Sequence, residues 1–436
     1  MTTTLGAAAG AGAAPVDLAD LDLPMVSTVS DEYLADPRGT WRAVSEQGWL
    51  ARTELGVNVL PYAANFELVR SRHLTTMGDT ILQIQGISDG LLYDYWTQGL
   101  IMTQDDEPHA RLRKLVVRAF TPRAVDRLRP AMRAVAADLI AGFGPGTADL
   151  VTQFTHQYPV EVMARLMGIP TADIAQFGRW STDLGLLFSF PVAPHRPVVE
   201  DALRGLMAYA ADLIEQRRSS PGDDLISLMI AAEADGDRLS AADLQWQVVN
   251  LTFAGHDTTR NQLAFILAMF AEHPEAWREL AADPSLGPNA VEEGLRLNPV
   301  IPATMRTTVG ELVYDGVRFP PGTFVILRAD TANRDPRTFP DPERLDLRRP
   351  NAHQQLTFGG GAHHCLGANL ARAEMQEALP LLARALPDLA LDGPGEWRPA
   401  SAMLLGTDSL PVTFACPVTG ASAPPVQTDA NDRRSS

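Results

Sequence analysis

Cys365 closes the run Phe-Gly-Gly-Gly-Ala-His-His-Cys, which begins at Phe358, and Leu366-Gly367 lead from it into a helical pattern. A sulfur at the end of a glycine-rich loop, just before a helix, is well placed to bind a metal cofactor. The positive dipole end and free N–H groups of the helix favour an ionised thiolate and tune its donation to a metal. Gly359, Gly360 and Gly361 remove side chains where the loop would pass over a flat macrocycle. Gly367 permits close approach on the other side. Only two cysteines occur in 436 residues, which excludes a disulfide framework and suits a reducing compartment. Cys416 precedes a Pro/Ser/Ala-rich tail and is given no role. The alternative for a lone cysteine is a buried, inert residue.

A second constellation is Ala-Gly-His-Asp-Thr-Thr, Ala254 to Thr259. Cleaving the O–O bond of bound dioxygen needs two protons. A hydroxyl can hold the water that delivers them, and a carboxylate behind it can connect that water to solvent. Thr258 and Asp257 supply such a pair, and Gly255 would relax the helix where oxygen must fit. Taken without the cysteine loop, Asp-Thr in a helix reads as surface polarity. Asn250, Ala254 and Thr258 are four apart and share one helix face. With Thr258 toward oxygen, Ala254 lies over the cofactor and Asn250 one turn farther into the pocket. Asn250 then either hydrogen-bonds a polar group of the substrate or is a packing amide bonded to its own helix.

Three further motifs stand in order with these. Glu-Pro-His-Ala-Arg-Leu-Arg runs from Glu107 to Arg113, Glu-Glu-Gly-Leu-Arg from Glu292 to Arg296, and Phe-Pro-Asp-Pro-Glu-Arg-Leu-Asp from Phe339 to Asp346. From about Asp105 to Leu410 the five motifs resemble the cytochrome P-450 superfamily, the haem-thiolate monooxygenases, and its soluble bacterial type in particular. The resemblance implies a mainly α fold with a small β portion. Haem b (iron protoporphyrin IX) would sit between a long central helix and the cysteine loop, with Cys365 as axial ligand and O2 as co-substrate. Phe358, Gly361, His363 and Gly367 match the haem-binding loop, and Ala254 the helix face above it. His109, Arg113, His363 and Arg306 match positions that bind the haem carboxylates. Glu293 and Arg296, with Arg344 as third member, match a buried structural set that braces the cysteine loop. The family usually has an aromatic residue where Leu345 stands.

The same resemblance places the substrate near Tyr93 in the Ile81–Trp96 loop and near Phe188 in the Leu186–Pro197 region, which also holds Phe190. It adds Ile301 in the segment Val300–Thr304 and Leu405 in the turn Met403–Thr407. These segments are mostly apolar, which points to a largely hydrophobic small molecule, a secondary metabolite being one such class. Hydroxylation, ring coupling and desaturation all remain open. The chain shows no flavin or iron–sulfur motif, so electrons from NAD(P)H would come through a ferredoxin and its reductase. From Arg111 to Arg133 there are eight Arg or Lys and one acid, Asp126. This run is either a solvated face or a docking patch for an acidic partner. A peroxide-driven peroxygenase is a competing reading, although it could dispense with the Asp257–Thr258 pair. A non-catalytic haem gas-binding protein is another, although it would be expected to carry an output domain.

The elements that must position these residues are legible in the apolar periodicity. Helices are expected at Ala131–Phe143, Pro197–Arg217, Ala241–His273 and Asn289–Leu297. The Ala241–His273 pattern is long enough to cross a whole domain. Leu312–Tyr314, the Asp315-Gly316 turn and Val317–Phe319 read as a hairpin, and Thr323–Leu327 as a further strand. Pro380 is expected to kink the helix that follows Cys365. One domain over 25–415 is expected, with disordered extensions at 1–24 and 416–436. The net charge of −17 argues against nucleic-acid binding. The N-terminus lacks the pattern of a signal peptide, and no stretch is apolar enough to span a membrane. A cytoplasmic monomer is the expectation.

Overall fold

The computed structural model describes residues 3–5, 14–189, 191–234, 241–398 and 403–415. Phe190 and Cys416, noted above, lie outside the described residues. A helix of 31 residues, Ala241–Ala271, runs through the middle of the molecule, a length of about 46 Å. Helices Gln157–Met167, Ile174–Gly185, Arg196–Ser219 and Gly287–Leu297 pack around it. Close crossings demand small residues. A Cβ on Gly294 would lie 2.5 Å from Ile266 of the central helix. The other expected helices are present with ends shifted by a few residues: Arg129–Ala141, Arg196–Ser219 and Gly287–Leu297. Each begins with proline in its first turn, where a missing N–H costs nothing. The helix after Cys365, Ala368–Ala385, continues through Pro380. Among the described residues no helix is long and apolar enough to cross a membrane.

The β portion is small, as expected. Its main sheet has the order Leu50–Arg52, Val57–Val59, Phe324–Arg328, Ala303–Thr308, Leu74–Thr75. Antiparallel pairing sets Arg306 opposite Val325 and so fixes where Arg306 enters the interior. The Leu312–Tyr314 and Val317–Phe319 hairpin forms, with Asp315 and Gly316 both at positive φ. Part of the N-terminal stretch that composition assigned to a disordered extension is placed against this hairpin. Val16–Asp17 pairs in parallel with Val317–Arg318, and Leu18 is buried beside Leu312 and Phe319. A two-residue strand has no periodicity of its own; the edge of the hairpin gives it partners.

The central helix carries many buried polar side chains, and each needs a partner. His256 bonds the Ser181 hydroxyl at 2.9 Å and the His156 carbonyl at 3.0 Å, which pins three helical segments together. Gln262 donates to the Asn298 carbonyl at 2.8 Å and accepts from the Val300 N–H. Behind the cysteine loop, Arg296 grips both oxygens of Glu293 at 2.6 and 3.0 Å and donates to the carbonyls of Asn333, Pro342 and Arg344. The third charged member is Arg349, whose Nε lies 3.0 Å from Glu293. This corrects the expectation of Arg344. The Arg344 side chain is 65 % exposed on Asp346, and only its carbonyl joins the set. Asn333 carries the brace onward, accepting from Leu356 N–H and donating to Thr357, just ahead of Phe358.

Two outcomes follow from these buried groups. Glu293→Ala strands Arg296 and Arg349 as facing cations, and is expected to lower stability by about 3–5 kcal/mol in urea titration. The second concerns His256, where burial pushes the imidazole down to about 3, with His156 and Arg260 adding to the shift. In the unfolded chain it titrates near its ordinary value, so below about pH 6.5 only the unfolded state takes up this proton. Stability is therefore expected to fall as pH drops through that range, and less steeply in His256→Gln. Equal slopes for the two proteins would show that His256 does not carry the effect.

Candidate active site

The cysteine loop is shaped by backbone contacts. The Cys365 N–H donates to the Phe358 carbonyl at 2.9 Å, and the Cys365 carbonyl accepts from Ala368. Gly359 and Gly361 both take positive φ, which favours glycine. Gly360 and Gly361 lie against Val69 and Arg70, where added Cβ atoms would come within 2.8 and 3.1 Å. Gly361 therefore admits the Val69–Arg70 backbone and Gly360 their side chains, whereas a Cβ added at Gly359 or Gly367 meets nothing within 4 Å. Cys365 has accessible surface although burial dominates its thiol's surroundings, as at the wall of an internal space. Burial pushes its thiol up. The N–H groups of Gly367 and Ala368 and the guanidinium groups of Arg113 and Arg372 pull the other way without cancelling it. A further positive charge, as a bound metal supplies, is needed to hold the thiolate.

Four residues from distant parts of the chain meet beside this loop. The rings of His109 and His363 lie 4.1 Å apart, and Arg113 and Arg306 act electrostatically on His109. Burial, reinforced by these cations, pushes His109 down to about 4. Arg306 is buried and, among the described residues, donates to its neighbour's carbonyl at Met305; Arg113 donates to the His364 carbonyl. Asp105 was missed by sequence reasoning. Its carboxylate accepts from His363 at 3.1 Å, from Thr75, and from both the hydroxyl and N–H of Thr76. Burial would raise this carboxyl, but those hydrogen bonds hold it well below the usual range. Asp105 thus orients His363 and is already engaged, which leaves Arg306 and Arg113 short of an anion.

Across the internal space stands the central helix. Its flanks are buried, yet Ala254 is exposed and Thr258 half-exposed. The Thr258 hydroxyl donates to the Ala254 carbonyl at 2.8 Å. Asp257 points the other way and is fully buried, within 3.4 Å of Arg260 and of Arg398. Gly255 does not open a groove for oxygen: a Cβ there would lie 2.4 Å from the Met163 sulfur, so the glycine serves helix packing. Asn250 is buried with both ends of its amide engaged. It donates to the Gly99 carbonyl at 2.6 Å and accepts from the Tyr95 hydroxyl at 2.9 Å. It ties the Ile81–Trp96 region to the helix, so both its amide oxygen and its amide nitrogen have protein partners.

The side walls are apolar. Phe188 stacks on Phe253 with ring centroids 4.9 Å apart and approaches Trp96 at 6.4 Å. The Phe188 carbonyl accepts from Met403, and the Leu405 N–H donates to Val300, next to Ile301. These bonds tie the Met403–Leu405 segment to Phe188 and Val300, while Leu405 lines a separate cleft with Phe265, Trp397 and Arg398. Tyr93 stands apart, half-buried, with its hydroxyl on Asp79 at 2.7 Å.

These residues fit haem. A flat group with two carboxylates would lie between Ala254 and the loop. Cys365 would be its axial ligand, and Arg306, Arg113, His109 and His363 would hold its acids. The iron then supplies the positive charge that the sulfur lacks and the capacity to activate dioxygen.

Comparison with known proteins agrees with this geometry. A model of the Cytochrome P450 family matches residues 175–283 and 286–385. The luteothin monooxygenase of Streptomyces thioluteus is 35% identical over 401 residues, covering 90% of this chain and 96% of that protein. The mycinamicin IV hydroxylase/epoxidase of Micromonospora griseorubida is 39% identical, covering 73% of this chain and 80% of that protein. Cytochrome P450 CYP109Q5 from Chondromyces apiculatus superposes with a TM-score of 0.80 at 28% identity, over 90% of this chain and 98% of that structure. The cations gathered beside the Cys365 loop, the exposed Ala254 and Thr258 on the central helix and these relatives agree: this chain belongs to the cytochrome P450 family of oxygen-incorporating oxidoreductases.

Proposed function

We propose that the protein oxidises a largely hydrophobic small molecule of the secondary-metabolite class, using O2 and two electrons from NAD(P)H relayed by a reductase and a ferredoxin. The observation that carries this reading is the convergence of Cys365, the cations at 109, 113, 306 and 363, and the Ala254–Thr258 face on one internal space. Bound haem supplies the oxygen-activating chemistry. Cys365 would ligate it through sulfur. Arg306, Arg113, His109 and His363 orient it through its acids. Thr258 would hold a water beside the reacting oxygen, and Asp257 would be the source of the protons passed to that water. Phe188, Phe253 and Ile301 would offer the substrate apolar contact and keep bulk water away. Two relatives named for luteothin and mycinamicin IV support the secondary-metabolite class.

The ferredoxin would dock where cations border the cysteine loop. Within the Arg111–Arg133 run, Arg111 pairs with Asp243, and Arg129 and Arg133 pair with Glu377. The Arg118 side chain lies outside the described residues. Arg123 and Arg127 are exposed and carry the docking role. Surface attraction of this kind is screened over about 8 Å at physiological salt.

Two measurements test the proposal. The reduced carbon-monoxide difference spectrum is expected to show thiolate-ligated haem, and Cys365→Ala to lose that band; a histidine-type band in the unaltered protein would refute the assignment. Reduction by ferredoxin is expected to slow with rising salt and in Arg123→Gln. Rates indifferent to both would remove the docking surface while leaving the haem assignment intact.

A further inference from the structure

The cleft that Leu405 shares with Phe265 and Trp397 has a volume of about 1000 Å³, which suits a small organic molecule. Cys365, the cations beside it, Ala254 and Thr258 are not among its lining residues. Part of the wall is aromatic. Trp397 is 42 % exposed and meets Phe265 edge-on, with ring centroids 4.9 Å apart. Another part carries charge. Arg38 is exposed on the helix Pro37–Ser45, and its guanidinium donates to Oδ1 of Asn298. Among the described residues no acid pairs with Arg38. It stands instead beside a second cation: burial first, and then Arg38, push the Arg334 guanidinium down. Arg334 has a structural duty at the end of the helix Gly287–Leu297, where Glu343 at 3.2 Å and the carbonyls of Leu297 and Asp330 hold it. Arg38 reaches only a neutral amide.

Asn298 supplies a third donor. It is buried, and because a guanidinium can only donate, its amide oxygen must face Arg38. Its Nδ2 is left without a partner among the described residues, on a side chain that lines the cleft. The acids of the cleft do not answer these donors. Asp330 is taken by Arg328, Asp335 by Arg337 at 2.7 Å, and Asp36 by the Gly39 N–H at 2.8 Å. Glu46 lies about two helical turns beyond Arg38. Two guanidinium groups and an amide N–H thus converge without an anion, in a chain whose net charge is −17.

We infer that this cleft is a second binding site, for a small molecule with a flat apolar body and one carboxylate. The carboxylate lies between Arg38 and Arg334, accepts from Asn298 Nδ2 and relieves the repulsion between the two cations. A guanidinium fork matches a carboxylate with parallel hydrogen bonds. The flat body lies against Phe265 and Trp397, whose rings offer apolar surface in a fixed orientation. A bare inorganic anion would leave those rings unused. A neutral hydrocarbon would leave the two guanidinium groups facing each other. The site is separate from the space beside Cys365 and does not depend on the reaction proposed there.

The test is calorimetric titration of the holoenzyme with 2-naphthoate, with its neutral amide and with inorganic phosphate, each paired with an absorption titration. A molecule entering beside the haem moves the Soret band, so binding in the cleft is the heat that leaves the band unmoved. Naphthoate is expected to bind saturably in this way, and the amide and phosphate to bind on the order of tenfold more weakly or not at all. Arg38→Gln and Trp397→Ala are each expected to weaken naphthoate by on the order of tenfold, from opposite ends of the molecule. Both residues are exposed, so neither variant disturbs the core. The site is overturned by the absence of saturable heat, by heat that appears only with a Soret shift, by equal affinity for the acid and its amide, or by an affinity unchanged in either variant.

Discussion

A sulfur kept ionised inside a protein is the constraint on which the rest of this structure depends. Burial opposes the charge on Cys365, and two N–H groups with two guanidinium groups do not fully offset it. The loop must therefore hold its shape around a bound cation and cannot relax toward water. That demand explains the rigid support behind it. Glu293 has both oxygens taken by Arg296 and a second cation in Arg349, and Arg296 spends its remaining donors on three carbonyls. A buried ion pair is worthwhile only when every partner is satisfied, and here nearly every donor has an acceptor.

The central helix solves a related problem. It must present a small, open face to one side and charged groups to the other, within a single run of residues. Ala254 and Thr258 face the internal space, while Asp257, one residue along, turns into the pocket with Arg260 and Arg398. Helical geometry does this automatically, since adjacent residues point about 100° apart. The carboxylate and the hydroxyl are thus neighbours in sequence but lie on different sides of the helix.

Some of the site was legible without coordinates because its parts are local. The glycine run before Cys365, the Asp257–Thr258 pair and the Glu293–Arg296 pair each lie within one turn or one loop. Arg344 was misassigned for a physical reason. In an irregular segment there is no periodicity to say which arginine turns inward, and Arg349, five residues on, is the one that does. Asn250 shares the face of Ala254 by spacing, yet a loop that packs over that part of the face takes both ends of its amide. Gly255 was read as loosening the helix, but its reason lies in Met163, nearly a hundred residues earlier. Asp105 had no local signal, since its partners Thr75, Thr76 and His363 are scattered.

The sequence by itself determined the kind of chemistry: a thiolate loop, an acid–alcohol pair and a buried Glu–Arg pair in fixed order, together with the helical class and the hairpin. These depend on contacts within a few residues, where side-chain type and spacing set geometry. Only the tertiary structure decided which cations meet at His109, which arginine completes the brace, and which glycine of the loop admits backbone. Each of those depends on segments brought together by burial, and burial selects among many polar residues only the few whose partners arrive from elsewhere in the chain.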